Sequence, residues 1–556
     1  MEASLPEVAT FSVLLDSQAA THPERRLLVL PNEEATYGEL ATQANHFARC
    51  LLGLGVNPGD NVGILLPPMV DYVAAMFGVA KIGAVPVLMN ARFKARELEH
   101  VITNGDLTTI LTSSSVADKV DFPDLLVEAL PGLGANPAGG PVEVETAPEL
   151  NHVVLIDDAQ RPGFMGRDGF DAAASSADSA EFESRQHRVQ VHDVALIMYT
   201  SGTTASPKGA MLSHEGLVRQ ATLAGQARFG LDDEDVMWTP LPMFHIGGMS
   251  YILTAITAGC TIVHAGHFDA EVAVRQLIDE SCTVALPAFE TMWLQILDHA
   301  DTTPESLEHL RLVLAVGVPE RLRMMQDRLP HAAMVTTFGG TEASSHLSIA
   351  VADDPPETRL TTGGFPLPGV EVRIVNPETG AGADPGEPGE IVYRGWSRFL
   401  GYYNDPEGTA AVIDDDGWFY SGDVGTLDEE GRLTFVSRLK DMLKVGGENV
   451  AAAEIEGFLV SHPAINIVQV VSAPDARYTE VAAAFVELKP RQQTSEAEII
   501  DFCRGKIATF KIPRYVRFVD EWPMSGTKIK KFVLRERIAR ELAEAGTTEA
   551  PRLTSS

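Results

Sequence analysis

The chain has 556 residues, room for about three to four folding units and too long for a lone small binding module. Apolar residues make up 45% and charged residues 22%, the balance of a globular chain and not of a disordered one. Its 43 basic and 77 acidic side chains leave a net charge of −34, which repels nucleic acid and anionic membrane at long range but leaves room for a small anion in a local pocket.

Residues 11–28 carry a helical pattern, with Phe11, Leu14, Leu15 and Ala19 on one face and Pro23 near the end. Tyr37–Leu54 reads as a second helix, stopped at Gly55 before Asn57-Pro-Gly-Asp60. Short apolar runs at Val62–Leu66, Ala84–Leu88 and Thr108–Thr112 alternate with helical patterns at Val70–Lys81 and Arg92–Thr103. That alternation predicts α/β units with a sheet covered on both sides. Residues 130–190 are rich in Gly, Pro, Ala, Ser and Asp and read as loop, with one strand at Val153–Ile156. The alternation resumes from Val194, with strands at 194–199, 236–239 and 261–263 and helices at 214–228 and 247–257, and runs to about residue 435. Near Arg438 the pattern changes to a small α+β unit: helices at 451–460 and 496–506, strands at 465–471 and 480–487, and an apolar–polar stretch at Tyr515–Phe518. The expected division is a large N-terminal domain at 1–437, a small mobile domain at 438–542 and a flexible tail at 543–556.

Cys50, Cys260, Cys282 and Cys503 are too widely spaced for a compact metal knuckle, and reduced thiols in a cytoplasmic protein are the simplest reading. The acidic Met-Glu-Ala-Ser-Leu-Pro-Glu start does not resemble a signal peptide, and no apolar run is long enough to span a membrane.

The sharpest chemical feature is Tyr199-Thr-Ser-Gly-Thr-Thr-Ala-Ser-Pro-Lys-Gly209. A strand feeds a loop in which Thr200, Ser201, Thr203, Thr204 and Ser206 offer hydroxyls, Gly202 lets the backbone come close and Lys208 adds a cation. Such a loop can cradle phosphate. It lacks the GxxxxGK[ST] order of a Walker loop. Ser/Thr/Gly clusters are more often plain surface loops, but five hydroxyls beside a lysine at a strand end favour the anion site.

At this loop the chain resembles the adenylate-forming superfamily of acyl-CoA synthetases, adenylation domains and luciferases, in its acid–CoA ligase branch. That family's loop reads Tyr-Thr-Ser-Gly-Thr-Thr-Gly-x-Pro-Lys-Gly, and Ala205 replaces one glycine. Further segments recur in family order over nearly the whole chain. The resemblance implies that in Phe338-Gly-Gly-Thr-Glu342 Phe338 and Gly339 lie against adenine, Thr341 contacts the α-phosphate and Glu342 holds Mg²⁺. A carboxylate among phosphate oxygens suits that ion. Ala315-Val-Gly-Val-Pro319 takes the place of the glycine-rich adenine segment, with Val316 and Val318 where smaller residues are usual. In Trp418-Phe-Tyr-Ser-Gly-Asp423 the resemblance gives Asp423 the ribose hydroxyls, and in Gly431–Asp441 it gives Arg438 the ribose and phosphate and Lys440 the hinge. Lys444-Val-Gly-Gly-Glu-Asn-Val450, with Gly446 and Gly447, would serve thioester formation; Ala451-Ala-Ala453 follows where the family has proline. Lys528 takes the place of the catalytic lysine, with Thr527 where glycine usually precedes it. His245, in Pro240-Leu-Pro-Met-Phe-His245, is placed at the acyl pocket, while His214 reads as structural.

The implied reaction joins a carboxylic acid to ATP, giving acyl-AMP and pyrophosphate, and then to coenzyme A, giving acyl-CoA and AMP. Met243, Phe244, Met249, Phe289, Met292 and Trp293 suggest a hydrophobic fatty, cyclic or steroid-type acid. Asp235 reads as a surface residue and offers no anchor for an α-amine. Three alternatives stay open: delivery to a carrier-protein phosphopantetheine, acyl-AMP chemistry ending in another product, and a weakened nucleotide- or acyl-binding homologue. A homodimer is compatible with the sequence.

Overall fold

The computed structural model describes residues 7–116, 118–200, 207–445, 448–525 and 528–552, with the backbone alone at Lys440, Glu448, Asn449, Ser525 and Lys528. The chain divides into two compact units. One comprises Met1–Gly317, Met324–Val372 and Tyr393–Phe419; the other comprises Val318–Arg323, Arg373–Val392 and Tyr420–Ser556. The first is a multilayer α/β unit and the second a smaller α+β unit, as the alternation predicts.

Two seven-stranded sheets organise the larger unit. One runs Ala333–Val335, Leu312–Val316, Val284–Phe289, Val236–Thr239, Thr261–His264, Arg26–Val29, Glu34–Thr36. The other runs Gly401–Tyr402, Lys208–Ser213, Val194–Thr200, Val85–Leu88, Asn61–Leu65, Leu107–Thr112, His152–Leu155. The inner pairs are mostly parallel, for example Ile64 opposite Leu88 and Leu111. Their strands are correspondingly apolar on both faces: Val62, Ile64 and Leu65 are all buried.

Local chemistry sets the helix ends. Thr36 and Glu39 form a reciprocal capping box that starts the helix Tyr37–Gly53. The helix Val70–Lys81 packs closely against it: a Cβ at Gly78 would sit 2.7 Å from Cβ of Phe47 and 2.8 Å from the Ala44 carbonyl oxygen, so only glycine allows this approach.

The structure corrects two readings of this region. The first helix is Phe11–Thr21, and Arg26–Val29 is a strand rather than its continuation. Pro23 follows the helix end, and Leu28 and Val29 pair in parallel with Ile262 and Val263. Residues 130–190 are largely loop with a strand at His152–Leu155, as expected, but they also hold two helices that the reading missed, Arg167–Ala173 and Ser179–Arg188. Their small and polar composition hid an anchor in each, the buried Phe170 and Phe182.

In the smaller unit the strands Ile465–Asp475 and Thr479–Leu488 form a long antiparallel hairpin. Alternate residues bury both faces. Val468, Val470, Ala482, Ala484 and Val486 belong to one apolar cluster, and Val471, Ala473, Val481, Ala483 and Phe485 to another. Helix Lys531–Glu544 sets Leu534, Ile538 and Leu542 on the second face at four-residue spacing. Beyond it the chain returns to the hairpin turn: the Ala550 N–H donates to Asp475 at 2.5 Å and the Ala476 N–H to the Thr548 carbonyl at 2.8 Å.

All four cysteines are free and buried. Burial pushes the thiols of Cys50 and Cys260 up to about 12 and that of Cys503 to about 11. Among the described residues no helix is long and apolar enough to cross a membrane.

Candidate active site

In the larger unit the strands Val194–Thr200 and Lys208–Ser213 pair antiparallel, with Thr200 directly opposite Lys208. The hydroxyl-rich loop is therefore anchored at both ends by one hairpin. Ser201, Gly202, Thr203 and Thr204 lie outside the described residues. The Lys208 ammonium pairs with Asp405 at 2.8 Å and lies 4.8 Å from the ring centre of Tyr402. Asp405 also caps the helix Pro406–Ala410 by accepting from the Gly408 N–H. The Lys208 ammonium and that N–H hold its carboxyl below the usual carboxylate range.

Phe338, Gly339, Thr341 and Glu342 lie on one hairpin. Strand Thr337–Gly340 pairs antiparallel with Ser345–Ile349, and Thr341–Ala343 forms a tight 3₁₀ turn between them. A Cβ at Gly339 would sit 1.9 Å from the Ser345 carbonyl oxygen, so the hairpin closes only over glycine. Ser344 and Ser345 take positive φ values of 56° and 106°, an uncommon state for residues with a Cβ. Side-chain bonds hold both: the Ser344 hydroxyl donates to the Ser397 carbonyl at 2.8 Å, and the hydroxyls of Ser250 and Ser345 lie 2.9 Å apart. Glu342 is half-buried. The Tyr402 hydroxyl donates to its Oε1 at 3.1 Å. A half-buried carboxylate with its lone pairs only partly used is a fitting donor for a hard divalent cation.

Tyr402 and Asp405 are the functional neighbours that sequence reading missed. The strand Gly401–Tyr402 pairs with Met211 and Ala210, just past Lys208, which brings both residues to the loop from nearly two hundred positions away. A Gly-Tyr-Tyr-Asn-Asp-Pro string gives no local hint of that pairing.

His245 is the N-cap of helix Ile246–Ala258 and is half-buried, with Phe244 4.8 Å away ring to ring. Met243, Phe244, Met249 and Trp293 are buried. Asp235 is not a surface residue: it is 7% exposed and held by Arg311 at 2.8 Å and by the Thr283 hydroxyl at 2.5 Å. Both its oxygens are engaged, so the conclusion that it anchors no amine stands on a different ground. His214 is structural. It accepts from the Phe11 N–H at 3.2 Å, and burial lowers it to about 4.

His346, buried beneath Tyr251, shows a defined tautomer. The Thr337 hydroxyl donates to the Ser348 carbonyl at 2.6 Å, so His346 Nδ1 must donate to that hydroxyl, 3.0 Å away. Nε2 then carries a lone pair with no partner among the described residues, as do the Gln220 amide and the Ser348 hydroxyl.

In the smaller unit Asp423 and Arg438 face each other across paired strands, with the guanidinium Nε 2.8 Å from the carboxylate. The Gly422 N–H donates to Glu390 at 2.9 Å and the Asp423 N–H to the Ser421 hydroxyl at 3.1 Å, fixing the turn before Asp423. Leu439–Asp441 is a 3₁₀ turn containing Lys440. Met442–Val445 and Glu448–Ala451 form a hairpin; Gly446 and Gly447 between them lie outside the described residues. Lys528 opens a short strand paired with Met524–Ser525; Gly526 and Thr527 also lie outside them.

Comparison with known proteins gives consistent matches. A family model described as AMP-binding enzyme matches residues 15–403, and one described as AMP-binding enzyme C-terminal domain matches residues 454–528. The chain is 35% identical to the 3-[(3aS,4S,7aS)-7a-methyl-1,5-dioxo-octahydro-1H-inden-4-yl]propanoyl:CoA ligase of Rhodococcus jostii (strain RHA1), over 90% of this chain and 93% of that one. It is 32% identical to the mitochondrial medium-chain acyl-CoA ligase ACSF2 of Homo sapiens, over 96% and 88%. The structure superposes with a TM-score of 0.82 and 25% identity on ATP-bound MatB from Rhodopseudomonas palustris, covering 96% of this chain and 99% of that one.

Proposed function

The chain belongs to the AMP-binding enzyme family and is an acid–thiol ligase, and from that premise we propose that it activates a hydrophobic carboxylic acid with ATP and transfers the acyl group to coenzyme A. The observation that carries this reading is the convergence of Lys208, Tyr402 and Glu342: a phosphate-type loop and an acidic hairpin meet through one tyrosine.

In the first half-reaction the acid's carboxylate oxygen attacks the α-phosphorus of ATP, and pyrophosphate leaves. The substrate arrives ionised at neutral pH, so no base is needed. What must be overcome is the repulsion between two anions. Lys208 and the loop hydroxyls at Thr200, Ser201, Thr203 and Thr204 hold the β- and γ-phosphates. Thr341 contacts the α-phosphate, Phe338 and Gly339 border the adenine, and Lys528 stabilises the charge that develops. Glu342 is the residue that would hold Mg²⁺, whose charge when bound offsets that of the phosphate oxygens. Asp423 and Arg438 hold the ribose.

In the second half-reaction the thiol attacks the acyl carbon of the mixed anhydride and AMP leaves. Residues 438–542 act as a mobile body that turns about Lys440 against residues 1–437, exchanging Lys528 for the 444–450 hairpin with Gly446 and Gly447. His245 borders the acyl group. The four buried, reduced cysteines support a cytoplasmic setting.

For the acid, apolar side chains around residues 243–249 and 289–293 support a hydrophobic body. The unpartnered polar atoms of Gln220, His346 and Ser348 favour a ring-bearing acid with an oxo or hydroxyl group over a plain alkyl chain. They lie on helix His214–Ala224 and strand Ser345–Ile349, which pack on each other, and buried polar groups discriminate strongly when a substrate leaves them unpaired. The related ligase of an oxo-substituted bicyclic propanoate is in keeping with this.

The test is pyrophosphate release with ATP and Mg²⁺ over a panel of medium-chain, aromatic and oxo-bicyclic acids, with and without coenzyme A, and mass spectrometry of the products. An acyl-CoA from an oxo-bicyclic acid in preference to an alkyl acid of equal size is the expected result. Pyrophosphate release without coenzyme A consumption would move the acceptor to a carrier protein, and no release with any acid would overturn the assignment.

A further inference from the structure

A second group of chemistry-bearing side chains lies away from these motifs, on helices Tyr37–Gly53 and Arg167–Ala173. His46 and Cys50 are four residues apart and so share one helix face. Asp171 faces them from the other helix. Asp171 Oδ1 is 2.7 Å from His46 Nε2, and Cys50 Sγ is 3.5 Å from the same nitrogen. The three ligand atoms all lie within 4.8 Å of one another. From these positions we propose that His46, Cys50 and Asp171 form a zinc-binding site that ties the two helices together, a site independent of the acid–thiol ligase reaction.

The distances suit the metal. With Zn–S near 2.3 Å and Zn–N near 2.0 Å, a tetrahedral ion sets sulfur and nitrogen about 3.5 Å apart, the separation already present. Nitrogen and oxygen would sit about 3.3 Å apart, so the His46–Asp171 contact must open by roughly 0.6 Å. Side-chain exposures of 38% for His46 and 39% for Asp171 make that small movement easy, and leave a path for the ion and for a water as fourth ligand. Cys50 is fully buried at the floor. A thiolate with an imidazole selects zinc over magnesium or calcium, which prefer oxygen ligands.

The surroundings fit as well. Arg167 Nε lies 3.0 Å from each Asp171 oxygen, and its Nη1 reaches Asp71 at 3.1 Å. A carboxylate has about four lone-pair sites, so Asp171 can keep Arg167 on Oδ2 while Oδ1 turns to the ion. Arg167 then orients the ligand from behind. Asp71, Asp171 and Arg167 together carry one net negative charge. Adding a divalent cation while the Cys50 thiol gives its proton to solvent brings the cluster to neutrality.

The experiment uses the full chain, stripped with a chelator, and cobalt(II) as a spectroscopic probe. One equivalent of Co²⁺ should produce a thiolate-to-metal charge-transfer band in the near ultraviolet with tetrahedral bands in the visible, and Zn²⁺ should abolish both. Excess Mg²⁺ should not. Saturating Zn²⁺ should raise Tm by about 2–5 °C. Cys50→Ser should lose the charge-transfer band. His46→Gln alters a partly exposed side chain, keeps the test open if Cys50→Ser folds poorly, and should weaken Co²⁺ binding at least tenfold. Absence of a saturable thiolate band in the unaltered protein, or a band unchanged in His46→Gln, would overturn the proposal. Cobalt bound at Glu342 would give no thiolate band, so the two sites are distinguishable.

Discussion

The hydroxyl of Tyr402 donates to Oε1 of Glu342 across 60 positions of sequence, while its ring lies under the ammonium of Lys208. One side chain therefore sets the orientation of the carboxylate and borders the cation. Tyr402→Phe keeps the ring and removes the bond. A hydrogen bond to a charged group is worth about 1.5–3 kcal/mol. Pyrophosphate release should fall roughly 10- to 100-fold, and the Mg²⁺ concentration for half-maximal rate should rise. Thermal unfolding should shift little. A rate unchanged at every Mg²⁺ concentration would separate Tyr402 from the reaction.

Lys528→Ala separates the half-reactions. Loss of one positioned donor of this kind costs about 10²–10³ in rate, and that loss should fall on adenylation. Acyl transfer to coenzyme A from preformed acyl-AMP should stay within about threefold of the unaltered protein. Equal losses in the two assays would refute the role given to this lysine.

The Asp423–Arg438 pair makes a third prediction. Asp423 is buried and Arg438 is half exposed, so Asp423→Asn lets the guanidinium turn to water and should leave stability nearly unchanged. The KM for ATP should rise about 10- to 100-fold, and the KM for the acid should not. Calorimetric titration with ATP gives the same comparison without turnover.

Buried histidines give the larger unit a pH-dependent stability. Burial lowers His214, His264 and His346 to about 4, from an ordinary value near 6.5. As pH falls below 6.5 the unfolded chain takes up these protons while the folded chain refuses them until about 4. Stability is thus fully present above pH 6.5 and is lost through that window, by up to about 1.4 kcal/mol per pH unit for each histidine. Urea unfolding at pH 7.5, 6.0 and 5.0 should show the decline, and His214→Gln should reduce its slope by about one proton. A flat profile between pH 7.5 and 5.0 would be incompatible with these shifts.

Much of this architecture is legible in the residues, and its failures have physical causes. The strand at 194–199 is an apolar run feeding a hydroxyl-rich loop, and the helix at Val70–Lys81 is a nearly unbroken apolar block, buried on all sides; both patterns are local. Leu27–Leu30 is also apolar, but its pairing with Ile262 and Val263 is long-range, and only that pairing makes it a strand. Asp235 has the polarity of a surface residue. Arg311, 76 positions away, is what keeps it buried. Tyr402 and Asp405 reach Lys208 through a strand pair of similar range, which no spacing rule signals. Two glycines beside a hydroxyl and a carboxylate give by themselves only a strand–turn signal, which the hairpin holding Phe338, Thr341 and Glu342 matches; their roles rest on the family resemblance and not on local spacing.

The return of Thr548 and Ala550 to the Asp475 turn changes what a trimmed chain would be. Chain ends are ordinarily the safest place to delete residues. Here the N–H of Ala550 completes a buried carboxylate, and the Thr548 carbonyl takes the N–H of Ala476. Cutting after Glu544 would thus act on the middle of the smaller unit, loosening the turn that joins its two longest strands. A purification tag is better carried at the other terminus.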